Sequence, residues 1–159
     1  MAINPNTTFT AGSILTAAQQ NRFPFGVVAL ATSTTGYTLT TSSAIATGMT
    51  VTFTAIANRN YKITYYEPQA SCAPVATAYT FTQIRLTNEA GTQYGSGIVQ
   101  TSSNTAISAT ITNTYIGTFA AGSTTIVGCA ITSSTTGGPA LSRGATSPAQ
   151  LLVEDIGPA

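Results

Sequence analysis

Apolar and polar residues alternate most regularly over residues 48–66, GMTVTFTAIANRNYKITYY. Met49, Val51, Phe53 and Ala55 share one phase, and Thr50, Thr52 and Thr54 share the other. That is the two-residue period of a strand with one face against a core. After the polar break Asn58-Arg59-Asn60 the alternation resumes, with Tyr61, Ile63 and Tyr65 against Lys62, Thr64 and Tyr66. Two such runs across a short polar turn predict a β-hairpin or a tight β-corner.

Shorter versions of this unit are predicted along the rest of the chain. Residues 27–32 read as a strand, and residues 33–46 as a Thr/Ser-rich loop with a short strand near 37–41. Residues 77–88 form a strand in which Tyr79 and Phe81 share a face and Ile84 and Leu86 fall out of phase. A bulge near Gln83 would produce that slip, and it makes Tyr79, like Tyr61 and Tyr65, an inward-facing residue. Glu89-Ala90-Gly91 is a hairpin turn into a weak strand over 92–100. Residues 105–115 alternate through Ile107, Ala109 and Ile111. Residues 124–132, TTIVGCAIT, are apolar on both faces, so this strand belongs mid-sheet. A Gly/Ser/Pro loop over 133–147 leads to a last strand at 149–156. About eight short strands with turn signals between them predict an all-β chain, a single β-sandwich of jelly-roll type. Residues 1–26 precede it as an extended arm. The arm's one helix candidate lies within 11–21, one to two turns at best, capped by Ser13 or Thr16 and stopped by Pro24. The sandwich domain is then 27–159.

Composition narrows the class. With 43% hydrophobic residues in 159, the chain can bury a core without staples. Only 6% of residues are charged, far below the usual quarter. Its polar surface is therefore Thr and Ser, a composition common in extracellular and virion proteins. The net charge is +1, and Arg22, Arg59, Lys62, Arg85 and Arg143 are scattered, so no nucleic-acid footprint exists. No apolar stretch approaches a membrane span. The opening MAINPNTTFT has neither a basic nor an apolar run, so no signal peptide is expected. A protein built for the outside would then leave the cell by lysis, within a virus particle.

The residues offer little catalytic chemistry. Without histidine there is no Ser-His-Asp or Cys-His arrangement. Glu154 and Asp155 are adjacent in a strand and point to opposite faces, so they cannot act as a pair. Glu67 and Glu89 are the remaining acids. No phosphate loop, dinucleotide fingerprint or calcium loop occurs. The chain is expected not to be an enzyme and to need no cofactor or metal. Cys72 and Cys129 are too few for zinc. They form either a disulfide or, the more ordinary outcome, two small buried hydrophobes. Tyr66 and Tyr94 are candidate surface-binding residues, since tyrosine offers a flat apolar body with a polar tip.

Three segments carry a resemblance. NTTFTAGSILTAAQQNRFPFGVVA, GMTVTFTAIANRNYKITYY and LLVEDIGPA together resemble a family of short tailed-bacteriophage virion proteins. The matching positions are Ala11, Gly12, Leu15 to Gln19, Asn21, Pro24, Gly26 to Ala29, Met49 to Ala55, Arg59, Tyr61 to Thr64, and Leu151 to Pro158. Members of that family are usually labelled minor tail or hypothetical virion proteins, so the resemblance implies a structural place in the particle, at the virion surface, with the major capsid protein or other virion proteins as partners. A looser likeness links Phe53, Tyr61-Lys62-Ile63, Phe119, Gly122, Ile126 and Leu151 to Val153 to the trimeric jelly rolls of the tumour necrosis factor and complement type. Asn60 stands where those have glycine. That likeness implies a homotrimer.

Two roles follow as expectations. A capsid decoration or cement protein would use its arm, burying Ile14, Leu15, Phe23 and Phe25, with Arg22 as a further anchoring contact. At roughly 25 cal/mol per Å2 of apolar surface, such burial supplies several kcal/mol per copy. A tail-fibre or tail-tip protein would instead bind a host receptor or glycan through Tyr66 and Tyr94. The absence of any repeat or heptad shaft disfavours the fibre. A secreted adhesin or lectin module of cellular origin is a third class, disfavoured by the lack of a signal peptide.

Overall fold

The computed structural model describes residues 12, 14, 16–21, 23–101 and 104–159. They form two antiparallel sheets packed face to face. The strands are β1 (Gly26–Ser33), β2 (Tyr37–Thr38), β3 (Ile45–Ala55), β4 (Arg59–Ser71), β5 (Tyr79–Leu86), β6 (Gln93–Gln100), β7 (Ser108–Gly117), β8 (Gly122–Thr132), β9 (Ala140–Leu141) and β10 (Ala149–Pro158). The first sheet runs β1-β10-β4-β7, with β9 and β2 extending it beside the far end of β4. The second runs β3-β8-β5-β6. Without the two-residue strands, the eight long strands occupy the sheets in chain order 1-8-3-6 and 2-7-4-5. Only β5 and β6 are consecutive neighbours in one sheet, which is the double Greek key of a jelly roll.

The 48–66 unit is a corner. β3 and β4 share no ladder, and the chain crosses between sheets at Ile56-Ala57-Asn58. Asn58 takes a left-handed φ of 60°, which asparagine tolerates. Arg59 and Asn60, read as part of the break, already belong to β4. β8 lies between β3 and β5, the mid-sheet place its two apolar faces require.

Met49, Val51, Phe53 and Ala55 of β3 interdigitate with Tyr61, Ile63 and Tyr65 of β4 and with Leu151 and Val153 of β10 in the main core. A second cluster, including Leu39, Cys72, Val99, Ile111 and Leu141, fills the other end.

The structure corrects the sequence reading of β5 and of Tyr79, and it decides the extent of the arm helix and the state of the cysteines. The helix expected within 11–21 is a single turn, Ala17–Gln20. Too short to bury a face, it gains nothing from packing. The ladder of β5 with β8 is continuous from Thr80 to Leu86, and the register shift near Gln83, between Ile84 and Arg85, lies in the pairing with β6, where Tyr94 is the extra residue and the phase of β5 is unchanged. Thr80 and Thr82 occupy the inward phase with Ile84, so the apparent slip vanishes. Tyr79 consequently faces outward, its ring 4.9 Å from that of Phe81. Cys72 and Cys129 are both buried and not bonded to each other.

Candidate interaction surface

The three segments that carry the family resemblance meet at one side chain, Arg59. The inward phase of β4 and β10 places Arg59 and Asp155 in the sandwich, and Arg59 Nε and Nη2 donate to the two Asp155 carboxylate oxygens at 2.5 and 2.6 Å. Both side chains are almost wholly buried. Asp155 Oδ1 also accepts from the Gly157 amide at 2.9 Å. The rest of the guanidinium faces the arm: Nη1 donates to the Asn21 carbonyl at 2.5 Å and Nη2 to the Phe23 carbonyl at 2.6 Å. The Phe25 ring lies over the same guanidinium, 3.9 Å from Cζ to centroid. A buried ion pair is expensive unless its remaining donors are satisfied, and here the arm's backbone satisfies them. Asn21, Phe23 and Phe25 at the root of the arm are thereby fixed to the body.

Beyond that clamp lie exposed apolar side chains. Ile14 is 93% exposed, and Phe23 and Phe25 are also exposed. Leu15 and Arg22, two further expected anchors, lie outside the described residues.

The clamp leads directly into β1, the edge of the first sheet. Strand register places three rows across that sheet's outer face: Val27, Glu154, Lys62 and Ile116; Leu30, Leu152, Thr64 and Thr114; Thr32, Gln150, Tyr66 and Thr112. Val27, Leu30 and Ile116 are each more than half exposed. Val28 is the extra residue at the β1 irregularity, and it too is exposed. The face's charged residues, Lys62 and Glu154, pair with each other at 2.9 Å, and both remain partly exposed. At its centre the Thr64 hydroxyl is enclosed with no hydrogen-bond partner. No charge guards the β1 edge, contrary to the usual protection of edge strands. The exposed apolar side chains form a strip along β1, Val27, Val28 and Leu30, with Ile116 apart from it at the β7 margin.

A second buried ion pair serves the body. Arg143, just after β9, donates to Glu67 at 2.7 Å through Nη2 and at 3.0 Å through Nε. It also donates to the Thr47 carbonyl at 2.9 Å and the Tyr65 hydroxyl at 3.3 Å. Tyr65 donates to Glu67 at 2.9 Å. Burial, reinforced by Glu67, pushes the Tyr65 hydroxyl's pKa up. Burial alone would lower the Arg143 pKa, but Glu67 and Tyr65 more than offset it and hold the guanidinium charged. The network ties Arg143 to Tyr65 and Glu67 on β4 and to the Thr47 carbonyl on β3.

The two candidate tyrosines separate. Tyr66 sits half-buried in the third row of the outer face. Tyr94 stacks on Tyr115 at the margin between β6 and β7, packed against the main core, whereas Tyr66 points to the outer face of the first sheet. Cys129 is buried on the outward side of β8, and desolvation pushes its thiol up to about 11, with Arg85 lowering and Glu89 raising it. Among the described residues no cluster of three or more histidine, cysteine or acidic side chains could hold a metal.

No protein-family model and no curated protein matches the chain. Among solved structures, the carbohydrate-binding module CsCBM6-3 from Clostridium stercorarium, determined with cellobiose, overlaps 81% of this chain and 87% of its own. The identity is 19% and the TM-score 0.24. The overlap is loose, and no residue here takes a role from it.

Proposed function

We propose that this chain is a non-enzymatic bacteriophage virion structural protein, a capsid decoration or cement protein attached to the outer shell through its N-terminal arm. The observation that carries the reading is the Arg59 clamp. It fixes Asn21, Phe23 and Phe25 to the sandwich through two carbonyl bonds and a ring contact, so the arm departs from a defined point. A fixed root lowers the entropy lost when an arm docks, and the exposed Ile14, Phe23 and Phe25 supply apolar surface for a neighbouring subunit. The Thr-rich, weakly charged surface fits a particle exterior.

Two measurements test it. Quantitative mass spectrometry of purified virions should find the protein near-stoichiometric with the major capsid protein. A few copies per particle would move it to the tail. Deleting residues 1–20 together with Phe23→Ser, which keeps the backbone carbonyls that Arg59 holds, should yield a folded sandwich that no longer attaches to particles. Undiminished attachment would overturn the arm reading.

A further inference from the structure

A cleft of about 320 Å3 opens where β5 turns into β6 and β7 crosses to β8. Tyr94 and Phe119 line it, with ring centroids 5.7 Å apart and planes nearly perpendicular. Neither ring is loose. Tyr94 stacks on Tyr115 at 4.5 Å, and Phe119 backs onto Phe53 and Tyr61, each at 5.9 Å, so the wall is rooted in the main core. The remaining lining includes Thr87, Thr118 and Ser123, and no charged side chain contributes. The volume lies at the lower end of the range for small-molecule sites.

Thr87 adds an independent sign. Its φ is +69°, and the Asn88 amide donates to the Leu86 carbonyl at 2.8 Å, closing a γ-turn around it. A β-branched residue in that conformation is strained, and such strain persists only where the surroundings impose it. Here the Thr87 amide is tied to the Thr125 carbonyl at 2.8 Å, and the adjacent Leu86 amide to the Thr92 carbonyl at 2.9 Å. Glycine would adopt the turn without strain but would bring no hydroxyl to the cleft.

We infer that this cleft binds a neutral pyranose sugar. The C–H face of the sugar packs against Tyr94 and Phe119, and its hydroxyls exchange hydrogen bonds with Thr87, Thr118 and Ser123. Rigid aromatic wall, neutral lining and a rim of hydroxyls match a ligand that is apolar on its ring faces and uncharged at its edges. A charged ligand would find no counter-charge there. The inference stands whether the protein occupies capsid or tail.

The test is an aromatic-resonance NMR titration of the full chain with neutral methyl pyranosides of the glucose, galactose, mannose and N-acetylglucosamine series. At least one should give saturable shifts at the Tyr94 and Phe119 rings. Tyr94→Ala should weaken it about tenfold or more, and Thr118→Val, a change at an exposed position, about three- to tenfold. Thr87→Gly should raise the melting temperature while weakening binding. No saturable shift across the panel would overturn the inference. So would binding indifferent to both Tyr94→Ala and Thr118→Val, or a response confined to an anionic sialoside. None of these failures touches attachment through the arm.

Discussion

At the residue scale, Arg59 joins the arm, the corner and the last strand with one planar group. Its shape matters, because a guanidinium can address the Asp155 carboxylate and two carbonyls at once, whereas an ammonium is a point charge. Arg59→Met should leave Asp155 buried without its partner and cost about 3–5 kcal/mol, read as a fall in denaturant midpoint. Trypsin should then cleave after Arg22 faster than in the parent chain, since the root on its C-terminal side is no longer held. Equal cleavage rates would show that the arm root is held by something other than Arg59. The buried acids were legible in part. Strand phase alone puts Glu67 in line with Tyr61, Ile63 and Tyr65, and Asp155 in line with Leu151 and Val153. An acid at an inward position demands a buried cation, and the chain has only five lysines and arginines. Which of them answers each acid was not legible, because Arg59 and Arg143 lie 96 and 76 positions from their partners.

Cys129 gives a prediction of opposite character. Burial pushes its thiol to about 11, above the ordinary value of 9.0. Between those values the unfolded chain has released the proton and the folded chain retains it. The folded state then binds more protons, and stability falls as pH rises through that window. Tyr65, also shifted upward, acts in the same direction at higher pH. Thermal melts should therefore drop between about pH 9 and 11, less steeply in a Cys129→Ala variant. Native thiol titration at pH 8 should find Cys129 unreactive.

At the element scale, period-two reading located the long strands because one face of each is buried and the other is solvated. It failed where threonine lies inside. In β5, Thr80 and Thr82 look like surface residues, yet their hydroxyls are satisfied internally: Thr80 donates to the Ser71 carbonyl at 2.9 Å, and Thr82 accepts from Asn113 at 2.9 Å. Tyr79 and Phe81, the larger residues, therefore face outward. The choice between hairpin and corner at 56–58 was also beyond local pattern, because sheet membership is decided by β8 and β10 far along the chain. Beside β5, β6 is weak in propensity for a packing reason. A Cβ at Gly97 would overlap Asn113 Oδ1 and the Ile111 side chain on β7, at the margin where the sheets meet. Gly97→Ala should cost about 1–3 kcal/mol by overpacking. Gly95→Ala, where the nearest atoms are at ordinary contact distance, should cost less. Equal effects in chemical denaturation would place the constraint in backbone conformation instead.

For the whole molecule, the outer face of the first sheet sets the largest expectation. Its charges cancel within one half-exposed pair, which adds little stability of its own. Val27 and Leu30 on β1 and Ile116 on β7 stand apolar at its two margins, with threonines between. A nearly neutral face with apolar margins suits burial against neighbouring copies, and we propose, from the trimeric jelly-roll likeness, a homotrimer with this face turned toward the threefold axis. Leu30→Asp combined with Ile116→Asp introduces charge only where side chains are already exposed, so the fold should change by no more than about 0.5 kcal/mol per site. Sedimentation equilibrium should find the parent chain trimeric and the double variant monomeric. The parent's melting temperature should rise with protein concentration, and the variant's should not. A parent chain that stays monomeric would assign the face to the shell protein, as a second contact beside the arm. In that case the double variant should detach from particles as completely as the chain that lacks residues 1–20 and carries Phe23→Ser.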